Sequence, residues 1–283
     1  MKRITRIVVL TLFALMTAYV GLPCWQRIRF WRSIQKFPDI AARVKLEPSN
    51  LDLSDVALVN TTTYNIGYAE FALPSSCPVS LYSYDSVCII GKSEAFDFSF
   101  LAPANIIATN SLVHSLSSSF AKLPANHKLV REMSENKITD LDLKIRAEKL
   151  TTIPTLWQLM FLDRASYIDT FACYLIKGFS PYGCEGVNFY VAEKTRGLVR
   201  IGESDHHASA HVEIEDRMRK RSAIFIIRMH GQNDPNLMLL LSPFLKSFTF
   251  LGEVIPPRES LADAIRSAGI EPHPDDVKRE DCQ

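Results

Sequence analysis

The stretch IVVLTLFALMTAYVGL, Ile7 to Leu22, carries no charged residue and constrains this chain more than any other feature. An uncharged apolar run of this kind leaves water, and it does so into a bilayer, a secretory signal or a protein core. From Ile7 through Trp25 a helix reaches about 28 Å, close to the roughly 30 Å of a bilayer core. Trp25 then falls at the interface, where indole rings prefer to sit. A cleaved signal peptide needs small residues at both −3 and −1 of its cut, and no position near Ala18 or Gly21 offers both. Gly21-Leu22-Pro23-Cys24 is a poor lipidation site, because proline precedes the cysteine. The sequence therefore predicts an uncleaved anchor over residues 1–25, with a cleaved signal and a buried helix as the competing readings.

Orientation follows less directly. Lys2, Arg3 and Arg6 precede the apolar run, whereas Arg27, Arg29, Arg32 and Lys36 follow it. A short basic tail ahead of a lone span favours the cytoplasm, which places the rest of the chain outside it. The segment CWQRIRFWRSIQKF continues as an amphipathic helix with Ile28, Trp31, Ile34 and Phe37 on one side. Its aromatic and basic residues suit an anionic headgroup layer, with Trp25, Arg29, Trp31, Arg32 and Lys36 as the membrane-contact residues. A stalk helix packed on the domain fits the same pattern. Residues 26–64 read as a juxtamembrane connection, residues 65–252 as the folded domain and residues 253–283 as a polar tail.

Hydrophobic content of 47% and charged content of 22% suit a domain with a sizeable core. A formal charge of +1 argues against nucleic-acid binding through whole-chain electrostatics. Cys24, Cys77, Cys88, Cys173, Cys184 and Cys282 form no C-x-x-C pair, so zinc-knuckle and thioredoxin chemistry lack their motif. Cys77 with Cys88, and Cys173 with Cys184, suit either bridges in an exported domain or buried free thiols.

Short apolar runs punctuated by Pro, Asp and Gly predict strands at IGYAEFALP, VSLYSYD, SVCIIG and AFDFSFLAP. NSLVHSLSSSFAKL and NHKLVREMSE read as helices, and the alternation of DLDLKIRAEK reads as a half-buried strand. TTIPTLWQLMFLDRASYIDTFACYLIKG reads as one main helix capped by Thr152, with Trp157 and Phe161 on its core stripe and Asp163-Arg164 at a bend or on its exposed side. Two late hairpins and a final helix beginning near Asp234 complete the pattern. Consecutive strands with short turns imply a mostly antiparallel sheet, and the helices between them must cover its faces. The predicted fold is α+β, an α/β/α sandwich around that sheet with an N-terminal transmembrane helix.

The succession YAEFALP, FYVAEKTRGLVRIG and LSPFLKSFTF, with Ser247-Phe248-Thr249-Phe250 at its end, resembles the Mog1/PsbP-like sandwich. The resemblance spans roughly residues 65 to 250 and implies a binding protein rather than an enzyme. Members of that group include photosystem assembly factors, a small-GTPase-binding factor and anchored bacterial proteins. They share no catalytic residues that carry over to this chain.

Direct tests for chemistry point the same way. Gly91-Lys92-Ser93 follows a strand as a phosphate loop does, but Ser86 stands where its first glycine belongs. No G-x-S-x-G occurs, and Ser119-Phe120-Ala121-Lys122 lacks the companion motifs of its class. No cofactor is called for. GESDHHASAHVEIED offers Asp205, His206, His207 and His211 as metal ligands if it is helical, since His207 and His211 are then i, i+4. Read as a strand, it puts His211, Glu213 and Glu215 on one face, and His230 on the following run comes within reach of His207. The basic turn Arg217, Arg219, Lys220 and Arg221 suits solvent, anionic lipid or an acidic partner. The expectation is a membrane-anchored binding or assembly-accessory module with a protein partner and no nucleic acid, and a metal-dependent hydrolase on the histidines is the alternative.

Overall fold

The computed structural model describes residues 21, 23–36, 38–85, 88–101, 138–178, 184–204, 207–218, 221–230 and 237–251. The anchor expected over residues 1–25 lies almost entirely outside the described residues, as do the two helices expected between 110 and 135 and the tail from 253. None of the described helices is long and apolar enough to cross a membrane.

The strands form where apolar side chains alternate with polar ones, because successive residues of an extended chain point to opposite faces. In β6 (Phe96–Leu101), Phe96, Phe98 and Phe100 are buried while Asp97 and Ser99 point the other way. In β10 (Ser222–Met229), Ala223, Phe225, Ile227 and Met229 repeat the pattern. With β4 (Ser80–Asp85), β5 (Cys88–Lys92), β7 (Cys184–Val191), β8 (Thr195–Ser204) and β9 (His207–Asp216), they make two antiparallel meanders. The β6–β10 pair joins the meanders into one eight-stranded sheet of order β1-β7-β8-β9-β10-β6-β5-β4. Its first strand, β1 (Ser49–Leu51), runs parallel to β7, so the sheet is mixed. A smaller antiparallel sheet holds β2 (Thr61–Asn65), β3 (Ala69–Pro74) and β11 (Thr249–Phe250). The fold is thus α+β, with a large mixed sheet and a small antiparallel one.

One face of the large sheet carries the main core. Phe71 of β3, Phe98, Phe225, Phe244 of the last helix (Leu237–Ser247) and Phe248 just beyond it meet there, with Phe225 and Phe244 stacked at 3.9 Å. Each such ring contributes about 1.5–3 kcal/mol on burial. The Ser247 hydroxyl accepts from the Ala72 amide at 2.7 Å and donates to Pro243 O at 2.8 Å, which pins the helix end to β3. Two strand glycines lie under cross-strand rings. A Cβ at Gly91 would meet Phe98 at 2.1 Å, and one at Gly197 would meet Glu213 O at 2.3 Å and Tyr190 at 2.4 Å.

The opposite face is covered by helices, and here the structure departs from the sequence reading. DLDLKIRAE is a helix, α3 (Asp140–Glu148), not a strand. A capping box starts it: the Thr139 hydroxyl accepts from the Asp142 amide, and the Asp142 carboxylate accepts from the Thr139 amide. The alternation arises because the helix is buried on two sides. Leu141 and Ile145 meet Val187 and Leu198 of the sheet, whereas Leu143 and Ala147 meet Cys173 and Ile176 of another helix. Two i, i+4 stripes on opposite sides of a helix reproduce the odd-even spacing of a strand.

The single helix expected over residues 152–178 is two. Thr155 and Gln158 form a second capping box that opens α4 (Leu156–Phe161). The chain then turns extended at Leu162, and Asp163 accepts from the Ser166 amide at 3.0 Å to open α5 (Arg164–Gly178). Residues 26–64, expected as a connection, supply a helix over 23–36 (α1), α2 (Pro38–Val44) and β1. Phe30 and Ile34 of α1 are buried, and the Phe30 ring packs edge-on against Phe171 at 4.5 Å. The apolar side of this amphipathic helix therefore faces protein.

Lys177, fully buried in the last turn of α5, holds this layer together. Its ammonium donates to Leu46 O beyond α2 at 3.0 Å, to Glu148 O at the end of α3 at 2.9 Å and to Leu150 O beyond it at 2.7 Å. One cation thereby satisfies carbonyls left open where two helices end. Burial pushes its pKa below the usual lysine value. Lys177→Met keeps the stem and removes the donors, so urea unfolding should show a loss of about 2–4 kcal/mol. No change in the midpoint would refute the capping role.

Candidate functional site

The charged residues of β8, β9 and α3 converge in a buried ionic layer on the helical face of the large sheet. Period-two alternation puts Arg196 and Arg200 of β8 on that face, beside Glu213, Glu215 and His211 of β9. Asp140, Lys144 and Glu148 lie four apart along α3 and descend onto them. Arg200 donates to Glu148 Oε1 at 2.8 Å and to Glu213 Oε1 at 2.6 Å, with only 4% of its side chain exposed. Lys144 lies 2.6 Å from Glu213 Oε2 and 2.7 Å from Asp140 Oδ2. Arg196 bridges Asp142 at 2.9 Å and Glu215 at 2.5 Å.

Pairing sets the protonation states. Burial works to raise the Glu213 carboxyl, but Lys144 and Arg200 outweigh it and hold it down to about 2. Burial keeps Asp140 and Glu215 above the usual carboxylate range despite their cations. His211, opposite Arg200 and 3.9 Å from Glu213, is pushed down to about 4 by burial, with Glu213 opposing and Arg200 and Lys144 adding to the shift. The imidazole is therefore neutral at pH 7. Burial raises the Cys173 thiol to about 11 and raises Cys184 as well, which disfavours the thiolate a nucleophile needs. Both thiols are free, as are Cys24 and Cys77. Such a layer locks a helix to a sheet.

The histidine-rich segment is strand, not helix. His207 and His211 share a face of β9, but four residues of strand separate them by about 13 Å, too far for one metal ion to bind both. His206 and Asp205, the other expected ligands, lie outside the described residues. The β9–β10 register carries His230 toward the level of His207, as the strand reading implies. The His230 ring turns away, however, with Nδ1 at 2.8 Å from Glu94 O and Nε2 at 3.3 Å from Asp97. Among the described residues no group of three His, Cys, Asp or Glu side chains is arranged to hold a metal.

In the basic turn, Arg221 donates to Asp216 at 3.0 Å and lies over the Phe250 ring. Arg217 is exposed and donates to Glu193 O, whereas Arg219 and Lys220 lie outside the described residues. Of the expected membrane-contact residues, Trp25, Arg29, Arg32 and Lys36 are exposed along one stripe of α1, while Trp31 packs into the cluster around Phe30. The Gly91-Lys92 pair simply ends β5, and Ser93 accepts from the Ala95 and Phe96 amides in the hairpin that follows.

Sequence reasoning missed the ionic layer and one surface. Arg196 with Glu215 was readable as an opposite-charge cross-strand pair once the hairpin register was assigned. The contribution of α3 was not, because it was taken for a strand. Trp157 and Phe161, expected in the core, are 73% and 82% exposed and stack on each other at 6.1 Å. No family model, no curated protein and no solved structure matches this chain.

Two outcomes follow from the layer. Arg200→Met leaves Glu148 and Glu213 facing each other without their shared cation and should cost about 3–5 kcal/mol in denaturant unfolding, with Glu213→Gln in the same chain recovering part of it. Unfolded His211 binds a proton near pH 6.5 and folded His211 only near 4. Stability should therefore fall as pH drops from about 6.5 to about 4, by up to roughly 3 kcal/mol. His211→Phe should flatten the slope in that window, and an unchanged slope would rule His211 out as its source.

Proposed function

We propose that this chain is a membrane-anchored, extracytoplasmic α/β/α sandwich that acts by binding, as an accessory or assembly module for a protein partner at the same membrane. The observation that carries the reading is the exposed stripe Trp25, Arg29, Arg32 and Lys36 on α1, placed directly after the apolar stretch Ile7–Leu22. An aromatic residue followed by cations is the order expected where a span leaves the bilayer and meets anionic headgroups. The apolar side of α1 is already committed to Phe171 and Tyr174, which leaves its charged stripe as the side open to a membrane. Binding rather than catalysis is supported by the Glu148 and Glu213 carboxylates closed in ion pairs and by the raised Cys173 and Cys184 thiols. The Mog1/PsbP-like resemblance points to the same class.

A metal-dependent hydrolase on His206, His207 and His211 finds no favouring observation, since His207 and His211 are too far apart along β9 to share an ion.

The full chain, expressed in membranes, should resist extraction by alkaline carbonate and by high salt. Deleting residues 7–22 should release it to the supernatant. Full release of the intact chain by carbonate would remove the anchor, and with it the proposed function.

A further inference from the structure

We propose that Lys194, Arg217 and Met218, on two hairpin turns at one end of the large sheet, dock on anionic headgroups of the bilayer that holds the chain's own anchor. The proposal rests on the anchored reading and adds a second contact, made by the sheet and not by α1. It follows from where these turns lie relative to the start of α1.

The two turns form a single tip. β7 runs into β8 through residues 192–194, and β9 runs into β10 through residues 217–221. Thr195 pairs with Asp216 where β8 meets β9, and the Arg217 amide donates to Lys194 O at 2.9 Å. The Arg217 guanidinium donates to Glu193 O at 3.1 Å and closes one turn on the other.

The helical layer places the start of α1 at the level of that tip. α3 runs in the direction of β8, since Asp142 in its first turn meets Arg196 and Glu148 in its last meets Arg200. α5 ends where α3 ends, because Lys177 donates to Glu148 O and Leu150 O, and Cys173 and Ile176 pack with Leu143 and Ala147. From Lys177 back to Arg164, α5 covers about 20 Å. From Arg200 back to Lys194, β8 covers about 20 Å as well. The start of α5 is therefore level with the tip. Arg27 lies over the Tyr167 ring at 5.1 Å and donates to Leu162 O at 2.8 Å, and Phe30 meets Phe171 further along, so α1 runs the same way as α5. α1 thus begins at the end of the domain that carries the turns, and the apolar stretch Ile7–Leu22 joins the domain there.

The chemistry of the tip fits a negatively charged lipid surface. Lys194 and Arg217 are exposed, and Met218 beside them is 76% exposed. With Arg219, Lys220 and Arg221 the two turns carry five cations against two acids, Glu193 and Asp216. Asp216 is engaged by Arg221 at 3.0 Å. Asp163, an exposed acid before the start of α5, accepts from the Ser166 amide and hydroxyl. Cations flanking an exposed apolar side chain suit anionic headgroups, with the methionine entering between them. An acidic protein offers the same charge, but the position of the tip at the end from which the anchor leaves favours lipid.

The chain contains three tryptophans, Trp25, Trp31 and Trp157. Trp25→Phe, Trp31→Phe and Trp157→Phe combined with Met218→Trp leave one indole, at the tip. The full chain is placed in nanodiscs of phosphatidylcholine, with or without a minority of phosphatidylglycerol and with or without brominated acyl chains. Emission should fall about twofold with bromine in the anionic discs and stay unquenched in phosphatidylcholine alone. Each cation at such a surface is worth about fivefold in the docking equilibrium, so Lys194→Gln with Arg217→Gln should weaken docking about 25-fold and abolish the quenching. In the unaltered chain, anionic discs should slow trypsin cleavage within residues 217–221, and high salt should restore it. Quenching by aqueous iodide but not by bromine, in chains retained in the discs, overturns the docking surface and leaves the anchor standing. Insensitivity to both quenchers means that protein covers the tip, and overturns it equally. So does bromine quenching that ignores phosphatidylglycerol, or trypsin cleavage that anionic lipid does not slow. Chains that do not enter the discs remove the anchor and the docking surface together.

Discussion

Arg200 stands between Glu148 and Glu213 at hydrogen-bond distance from both, out of reach of water. Its position in the middle of β8 cannot be left unpaired, since a buried guanidinium without partners costs several kcal/mol. The α3 helix must therefore arrive in one register, with Glu148 over Arg200 and Lys144 over Glu213. Much of the helical layer hangs on that docking. The α3 helix presents Leu143 and Ala147 to α5, α5 presents Lys177 to the ends of α2 and α3, and α5 with α4 forms the wall on which α1 packs.

The two faces of the large sheet are stabilised by different physics. The face toward the last helix is a close assembly of aromatic rings, non-directional and tolerant of small shifts. The face toward α3 is directional, because ion pairs and hydrogen bonds to carbonyls hold only at set distances and angles. Aromatic packing supplies most of the burial, and the ionic layer selects which helix lies where. With α1 bound to that wall, the exposed rings of α4 and the start of α1 keep a defined position relative to each other.

Much of the sheet was readable before any coordinates. Alternation located β3 to β6 and β7 to β10, and the late hairpins were assigned in their observed order. The final helix was also anticipated, and the expected cap at Asp234 lies outside the described residues, which begin at Leu237. The errors share one cause, which is burial that periodicity does not reveal. The α3 helix looked like a strand because sheet and helix bury opposite sides of it. Trp157 and Phe161 looked like core because their spacing continues that of α5, although Leu162 ends α4 before α5 begins. The apolar side of α1 fitted a lipid surface and a packed stalk alike, because nothing local distinguishes a bilayer from a neighbouring helix. The burial of Lys177 against three carbonyls depends on chain segments up to 131 residues away.

By itself the sequence determined the strand periods, the hairpins, the buried rings of β6 and β10, and the apolar character of Ile7–Leu22. Those properties follow from neighbours along the chain, where pleat and pitch set which side chains share a face. Only the tertiary structure decided that Glu213 of GESDHHASAHVEIED meets Arg200 and Lys144, and that His211 lies beside that ion pair. Contacts between residues distant in sequence are fixed by packing and by the cost of unpaired buried charge, and neither is written in any local pattern.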